Sequence, residues 1–375
     1  MIKPKPIAYY LPQYHPIPEN DYWWGKGFTE WTNVTKARPL FKGHYQPRYP
    51  ADLGYYDLRV PEVREEQAKL AKENGIYGFC YYHYWFGDGK QLLERPFNEV
   101  IESGKPDLPF MLCWANQTWK GIWFGEGEGK ILIQQSYPGI EDYENHFKFL
   151  VKAFKDKRYI TIEGKPVFQV YMPMDIPDLP QFVSVFRKLA AEYGLNGIYL
   201  MACNVQINWN PYDYGFDGVV SSLFHTFRFK EKNTTFKQGT LMGKVEWKWK
   251  KFIEGKPIES RRKPKIYNYQ DVINLISQWP NKDYDYFPMI IPDWDNSARA
   301  GTKSMILKGS TPEKWKNQVE KAIKYANSSK VSDKLIFIKS WNEWAEGNYL
   351  EPDRRWGSLY LEAIKNCIEL NCNDE

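Results

Sequence analysis

Short apolar runs, separated by stretches with helical spacing, recur along the whole chain. Ile7–Tyr10, Tyr77–Tyr82, Phe110–Trp114, Pro166–Tyr171, Gly197–Met201, Gly218–Ser221, Phe287–Ile291 and Leu335–Trp341 read as strands. Helices are predicted between most of them. Pro61–Asn74 has Val63, Leu70 and Ala71 at helical spacing and stops at Asn74-Gly75. Gln91–Ser103, Ile140–Lys155, Leu179–Tyr193, Pro312–Asn327 and Trp356–Glu369 follow the same rule. Thr311-Pro312-Glu313 fits an N-cap followed by proline at the first helical position.

Eight strands alternating with helices imply an α/β fold, a parallel (β/α)8 TIM barrel formed as one catalytic unit over residues 1–375. An open doubly wound sheet is the alternative. The barrel carries a checkable consequence: chemistry should cluster just after the C-terminal ends of the strands, where the βα loops build one face. The sequence follows this expectation. Leu11-Pro12-Gln13-Tyr14-His15 follows strand one, His83-Tyr84-Trp85-Phe86 strand two, and Trp114-Ala115-Asn116-Gln117-Thr118-Trp119 strand three. Pro292-Asp293-Trp294-Asp295 continues to Arg299 after strand seven, and Trp341–Gly347 follows strand eight. Two connections exceed the ~2–6 residues usual for such loops. Residues 12–60 are expected to form a lid or rim over the mouth. Residues 222–265 form an insertion after strand six, in which Val245–Lys250 alternates like a hairpin arm.

Composition sharpens the picture only in places. The aromatic content is 17%, with 16 Trp and 27 Tyr; much of it must be core, and Tyr and Trp in loops also suit sugar rings, whose C–H faces stack on aromatic faces. The net charge of +5 is uneven. Residues 226–265 carry thirteen Lys/Arg and four Glu, a local +9, so the remainder is near −4. That insertion is either a solvated loop or a surface for an anionic partner: phosphate, acidic glycan or membrane. The protein as a whole is not basic, and no nucleic acid partner is expected. The five cysteines lack metal or disulfide spacing, and Cys80 and Cys113 fall in strands as small core residues. No secretory segment opens the chain and no run approaches the ~18 apolar residues of a membrane helix. The expectation is a cytoplasmic protein with no integral membrane segment.

Glu343 and Glu346 are the leading catalytic candidates. Glycosidic cleavage needs one group to protonate the departing oxygen and a second to attack carbon one or activate what does. Two carboxyl groups at the mouth of a buried strand, walled by Trp341 and Trp344, meet that need if the chain turns near Asn342. Burial can lift one of them into the acid–base range. Asp293 and Asp295 form a second acidic pair around Trp294. They could bind sugar hydroxyls, orient Arg299 or coordinate a cation. His15 and His83 stand at strand ends, where they could bond hydroxyls; His44 is open to either a structural or a functional reading, and His146 reads as structural. Tyr10, Gln13, Tyr84, Trp85, Asn116, Trp119, Trp294, Trp341, Asn342 and Trp344 complete the expected substrate-binding set. No His/Cys metal spacing, phosphate cradle or nucleophile elbow occurs, so no metal or cofactor is expected. Gly125–Gly129 is glycine-rich and reads as a turn.

Several long motifs resemble the WbsX family. They are Ala8–Asn20, Trp23–Val34, Tyr77–Phe86, Trp294–Arg299 and Trp341–Pro352. Proteins of that family are often encoded with bacterial O-antigen or capsule genes. They carry the label of glycosyltransferases yet look like glycoside hydrolase family 99, a barrel family of endo-acting α-mannosidases and α-mannanases. The family 99 motif is matched here by Asn342, Glu343, Trp344, Glu346 and Gly347. The resemblance implies an endo-acting, retaining hydrolase of an α-linked bacterial polysaccharide. In it Glu343 takes the proton of the sugar's 2-hydroxyl to give a 1,2-anhydro sugar, and Glu346 protonates the leaving group and then activates water. Ala345 stands where family 99 often has His, and Gln117 where WbsX relatives commonly have Glu, so mannose specificity is not implied. A glycosyltransferase and a non-catalytic glycan-binding protein are the alternatives.

Overall fold

The computed structural model describes residues 3–121, 130–222, 263–331 and 333–373. The predicted glycine-rich turn, the hairpin arm at 245–250 and nearly all of the basic insertion lie outside these residues.

The fold is a parallel (β/α)8 barrel. Strands β1 (Lys5–Tyr10), β2 (Gly78–His83), β3 (Phe110–Trp114), β4 (Lys165–Val170), β5 (Tyr199–Ala202) and β6 (Gly218–Val220) pair in sequence order, all parallel. Strand β7 comes in two pieces. Asp285–Phe287 pairs with β6, and Met289–Ile290 pairs with β8 (Leu335–Ile338), which returns to β1 through Lys5↔Leu335. The break is Pro288, which has no N–H for the ladder. Its carbonyl accepts from Phe337 N at 2.9 Å, and Ser221 Oγ accepts from Met289 N at 2.7 Å, so the ring closes across the gap.

Helix α1 (Pro18–Trp24) and α2 (Glu30–Lys36) lie within the long first connection. Helices α3 (Pro61–Glu73), α4 (Arg95–Ser103), α5 (Ile140–Phe154) and α6 (Leu179–Glu192) follow strands β1 to β4. After β5 there is only a 3₁₀ turn, Pro211–Tyr214. Helix α7 (Tyr269–Ile276) precedes β7, the short α8 (Ser297–Ala300) and α9 (Pro312–Ser328) follow it, and α10 (Leu359–Asn373) ends the ring. Thr311 Oγ1 caps α9 by accepting from Lys314 N at 3.4 Å, with Pro312 in the first turn as expected.

Two predicted helix starts move. Gln91 pairs with Trp85 and Leu93 takes a positive φ of 59°, so α4 begins at Arg95. Asp353 accepts from Arg355 N and Trp356 N in a tight turn, which delays α10 to Leu359. Helix α7 was missed. Its signal is Asn268, whose side chain accepts from Gln270 N, ahead of Val272, Ile273 and Ile276 on one face.

Inward residues fill the barrel. Tyr9 donates to Gln169 Oε1 at 2.8 Å and touches the Cys203 thiol. Cys80 and Cys113 are fully buried and, like Cys203 and Cys367, unbridged. No described helix is long and apolar enough to cross a membrane.

Candidate active site

Strand β8 ends at Ile338, earlier than the sequence suggests. Asn342–Glu343 pairs antiparallel with Asn348–Tyr349, and between them Trp344–Glu346 forms one 3₁₀ turn closed by Gly347 at φ 66°. In a 3₁₀ turn residues three apart eclipse. That geometry brings Glu343 and Glu346 to one side, where an extended strand would separate them. A Cβ on Gly347 would come within 2.9 Å of the Asp295 backbone nitrogen, so the turn packs tightly on the β7 loop.

Both glutamates line a cleft of about 620 Å³ at the C-terminal face. Its walls come from after β1 (Leu11, Gln13), from β2 (Tyr82) and just after it (Tyr84), from after β3 (Gln117, Trp119), from Tyr171 after β4 and from Trp294 and Arg299 after β7. A two-stranded parallel ladder, Lys265–Asn268 with Met305–Lys308, flanks the same mouth. The clustering expected of a barrel is therefore present.

The two carboxyl groups are in opposite electrostatic positions. Glu343 is 3% exposed, and burial alone would raise its pKa. Lys339 overcomes this: its Nζ lies 3.1 Å from Glu343 Oε1, and the Glu343 carboxyl is held well below the usual range. Glu346 shifts the other way, raised first by burial and next by the neighbouring Glu343 carboxylate. Arg299 Nη1 reaches Glu346 Oε1 at 2.5 Å and Arg299 Nε reaches Glu30 Oε1 at 2.7 Å, without reversing that rise. Like charges crowded together cannot both ionise freely. The surroundings therefore favour an ionised Glu343 beside a protonated Glu346.

Of the residues expected to bind substrate, Gln13, Tyr84, Trp119, Trp294 and Arg299 line the cleft. The others act behind it. Tyr10 faces outward and donates to Gln67 Oε1 on α3 at 2.6 Å. His15 bonds the Pro12 carbonyl, and burial lowers it to about 4. His83 shares a 2.9 Å hydrogen bond with His146, and burial lowers it to about 3. Trp85 stacks on His146 and donates to Asp142. Asn116 bonds Tyr137 and both backbone groups of Met172, tying the β3 and β4 loops together, while its neighbour Gln117 faces the cleft. Asn342 bonds Leu11 N and O, fixing the end of β1.

The two tryptophans beside the carboxyl groups face the core. Trp341 is fully buried against Phe79, and Trp344 stacks on Tyr349 at 3.8 Å and donates to Glu351 at 2.6 Å. The second acidic pair takes partners other than Arg299. Asp293 bonds Arg48 at 2.8 Å, and Asp295 bonds His44 at 2.7 Å and Gln46 at 2.9 Å. Those donors come from the 12–60 segment, which is anchored beneath the site as well as around it: Glu30 is fully buried, and Trp31 packs on Trp344. Among the described residues no group of three or more His, Cys, Asp or Glu could hold a metal ion.

Sequence reasoning missed Lys339, Tyr82, Arg48 and Glu30. Lys339 carried a usable signal, a cation directly continuing the apolar run 335–338.

Comparisons with known proteins agree with this architecture. The family model described as Glycosyltransferase WbsX matches residues 6–364. Two proteins of Xanthomonas campestris pv. campestris, both described as uncharacterized protein WxcX, are 35% identical over 363 residues, 96% of this chain and 49% of theirs. The chain thus spans about half the length of the curated relatives it matches. Among solved structures, the GH99 endo-alpha-mannosidase from Bacteroides thetaiotaomicron superposes with a TM-score of 0.58 at 12% identity, covering 98% of this chain and 96% of that one. A glycoside hydrolase-like protein gives 0.57 at 13% identity, covering 98% and 94%. At such identity these likenesses concern the fold.

Proposed function

The chain belongs to the glycosyltransferase WbsX family, and on that premise we propose that it is a glycoside hydrolase cleaving α-linkages within a bacterial polysaccharide. The observation that carries this reading is that Glu343 and Glu346 share one turn in a barrel-mouth cleft, in surroundings that push their pKa values in opposite directions. Glu346, protonated, donates to the departing glycosidic oxygen. Glu343, ionised, accepts the proton of the 2-hydroxyl, whose oxygen closes on carbon one and breaks the glycosidic bond. A 1,2-anhydro sugar results. Glu346 then takes a proton from water, the water oxygen opens the three-membered ring at carbon one, and Glu343 returns its proton to the 2-oxygen. Two inversions give net retention. Gln13, Tyr84, Trp119 and Trp294 supply polar contacts and aromatic faces for the sugar, and Arg299 orients Glu346.

The family's description as glycosyltransferases favours a second reading, transfer of the sugar to a hydroxyl acceptor in place of water. The cation site that Asp293 and Asp295 could have formed gains no support, because they are spent on Arg48 and His44. The test is to screen α-linked bacterial polysaccharides for release of reducing ends, and to read the product anomer by NMR. On a substrate the wild type cleaves, Glu343→Gln and Glu346→Gln should each lose about a hundredfold or more. Full activity in both variants refutes the assignment; longer products without new reducing ends favour transfer.

A further inference from the structure

The cleft is more cationic than a neutral sugar requires. Its described lining includes Lys120, Lys265, Arg299, Lys303 and Lys339 against two carboxyl groups, Glu343 and Glu346. Arg299 is balanced by the buried Glu30 and Lys339 by Glu343, so the excess positive charge of the described lining comes from the three other lysines. Lys120, Lys265 and Lys303 stand exposed on the rim. Lys339 is different: it is 7% exposed, on the cleft floor, with Tyr82 OH at 3.1 Å. Its ammonium also lies over the rings of Tyr82 and Trp294, 5.7 and 5.8 Å from their centroids. Aromatic faces attract a cation within about 6 Å of the ring centroid.

We propose that the glycan taken by this cleft bears an anionic group, a carboxylate or a phosphate ester, on or beside the sugar being cleaved, and that Lys339 receives it. This deepens the hydrolase reading and rests on it for cleavage, though not for binding.

Two physical arguments carry the proposal. Burying an ammonium is costly unless a partner compensates it. The partner here, Glu343, must leave one oxygen free for the sugar during turnover. A substrate anion would take over part of the pairing, and Lys339 would stay compensated throughout. The same contact also bears on the chemistry. An ammonium 3.1 Å from Glu343 weakens it as a proton acceptor. A substrate anion drawn to Lys339 offsets that ammonium and restores basicity to Glu343. A neutral glycan leaves the ion pair intact and Glu343 weakly basic. The rim lysines would add a longer-range attraction, sensitive to salt.

The test uses the full chain and a panel of acidic bacterial polysaccharides, each paired with its carboxyl-reduced or enzymatically dephosphorylated form. Binding is measured by calorimetry at low and high salt, and release of reducing ends is measured separately. The acidic members should bind, and removing their charge should weaken binding roughly tenfold or more. Lys339→Met should cause a loss of similar size. Lys303→Gln, on the exposed rim, should cause a smaller loss that vanishes at high salt; it keeps the test open if Lys339→Met does not fold. Loss on carboxyl reduction identifies a uronate-type sugar, and loss on dephosphorylation a phosphate ester. Equal binding of charged and neutralised forms, wild-type binding by Lys339→Met, or no binding of any acidic member overturns the proposal. Binding of acidic glycans without cleavage supports it while removing the hydrolase reading. Cleavage confined to neutral glycans does the reverse.

Discussion

Lys339 Nζ stands 3.1 Å from Glu343 and 4.0 Å from Glu346, so one buried ammonium faces both carboxyl groups of the candidate active site and sides with the first. Burial raises both acids, and the nearer cation reverses that rise only for Glu343.

Removing that cation should therefore act on Glu343. In the wild type the acidic limb of kcat/KM should lie below the ordinary carboxylate range, because Lys339 favours an ionised Glu343 there. Lys339→Met leaves burial unopposed by its main counter-charge and should move the acidic limb to higher pH. A pH–rate profile on any cleaved substrate measures this, and an unmoved limb would show that Lys339 does not set the charge of Glu343.

The strands were legible in the sequence because each is a short apolar run, and the carboxyl pair was legible because it directly follows one. Partnerships across the chain were not. Asp293 and Asp295 sit beside Arg299 in sequence, yet Arg299 goes to Glu30 and Glu346 while the aspartates take Arg48 and His44. Neighbourhood along a loop says little about direction. Trp341 and Trp344 flank the catalytic candidates in sequence and face the core in space, because the 3₁₀ turn puts Glu343 and Glu346 on the other side. The break at Pro288 was readable as a proline within a predicted strand, but not that the ring would close across it.

Arg48 ties the 12–60 segment to the β7 and β8 loops through Asp293 at 2.8 Å and the Gly347 carbonyl at 3.2 Å. Arg48→Met leaves Asp293 without its counter-charge, while Asp295 keeps His44 and Gln46, and should cost about 3 kcal/mol of stability. Urea denaturation measures the loss. A variant as stable as the wild type would mean that the segment is held by its apolar contacts alone.

Gly347 takes a positive φ against the Asp295 backbone. Gly347→Ala should cost roughly 1–3 kcal/mol and displace Glu346, lowering kcat more than KM changes. Thermal unfolding and steady-state kinetics on one preparation separate the two effects.

Glu351, beneath the site, accepts from Trp344, Gln67 and Tyr56, yet burial still raises its pKa to about 7. A carboxyl raised on folding holds its proton more tightly folded than unfolded. Its contribution is least costly below the unfolded value of 4.5 and destabilises the fold increasingly as pH climbs to about 7. Over that window the wild type should lose on the order of 3 kcal/mol relative to Glu351→Gln. Denaturation midpoints at several pH values read the difference; parallel curves would mean that Glu351 does not carry the buried proton.

The central claim is that, before any substrate binds, Glu346 is a protonated acid beside an ionised Glu343. Infrared difference spectroscopy at neutral pH, wild type minus Glu346→Gln, tests it most directly. The account predicts a protonated-carboxyl C=O band in the wild type that is missing from the variant. If Glu346→Gln leaves the protonated-carboxyl region unchanged and removes only a carboxylate band, the acid has been assigned to the wrong group.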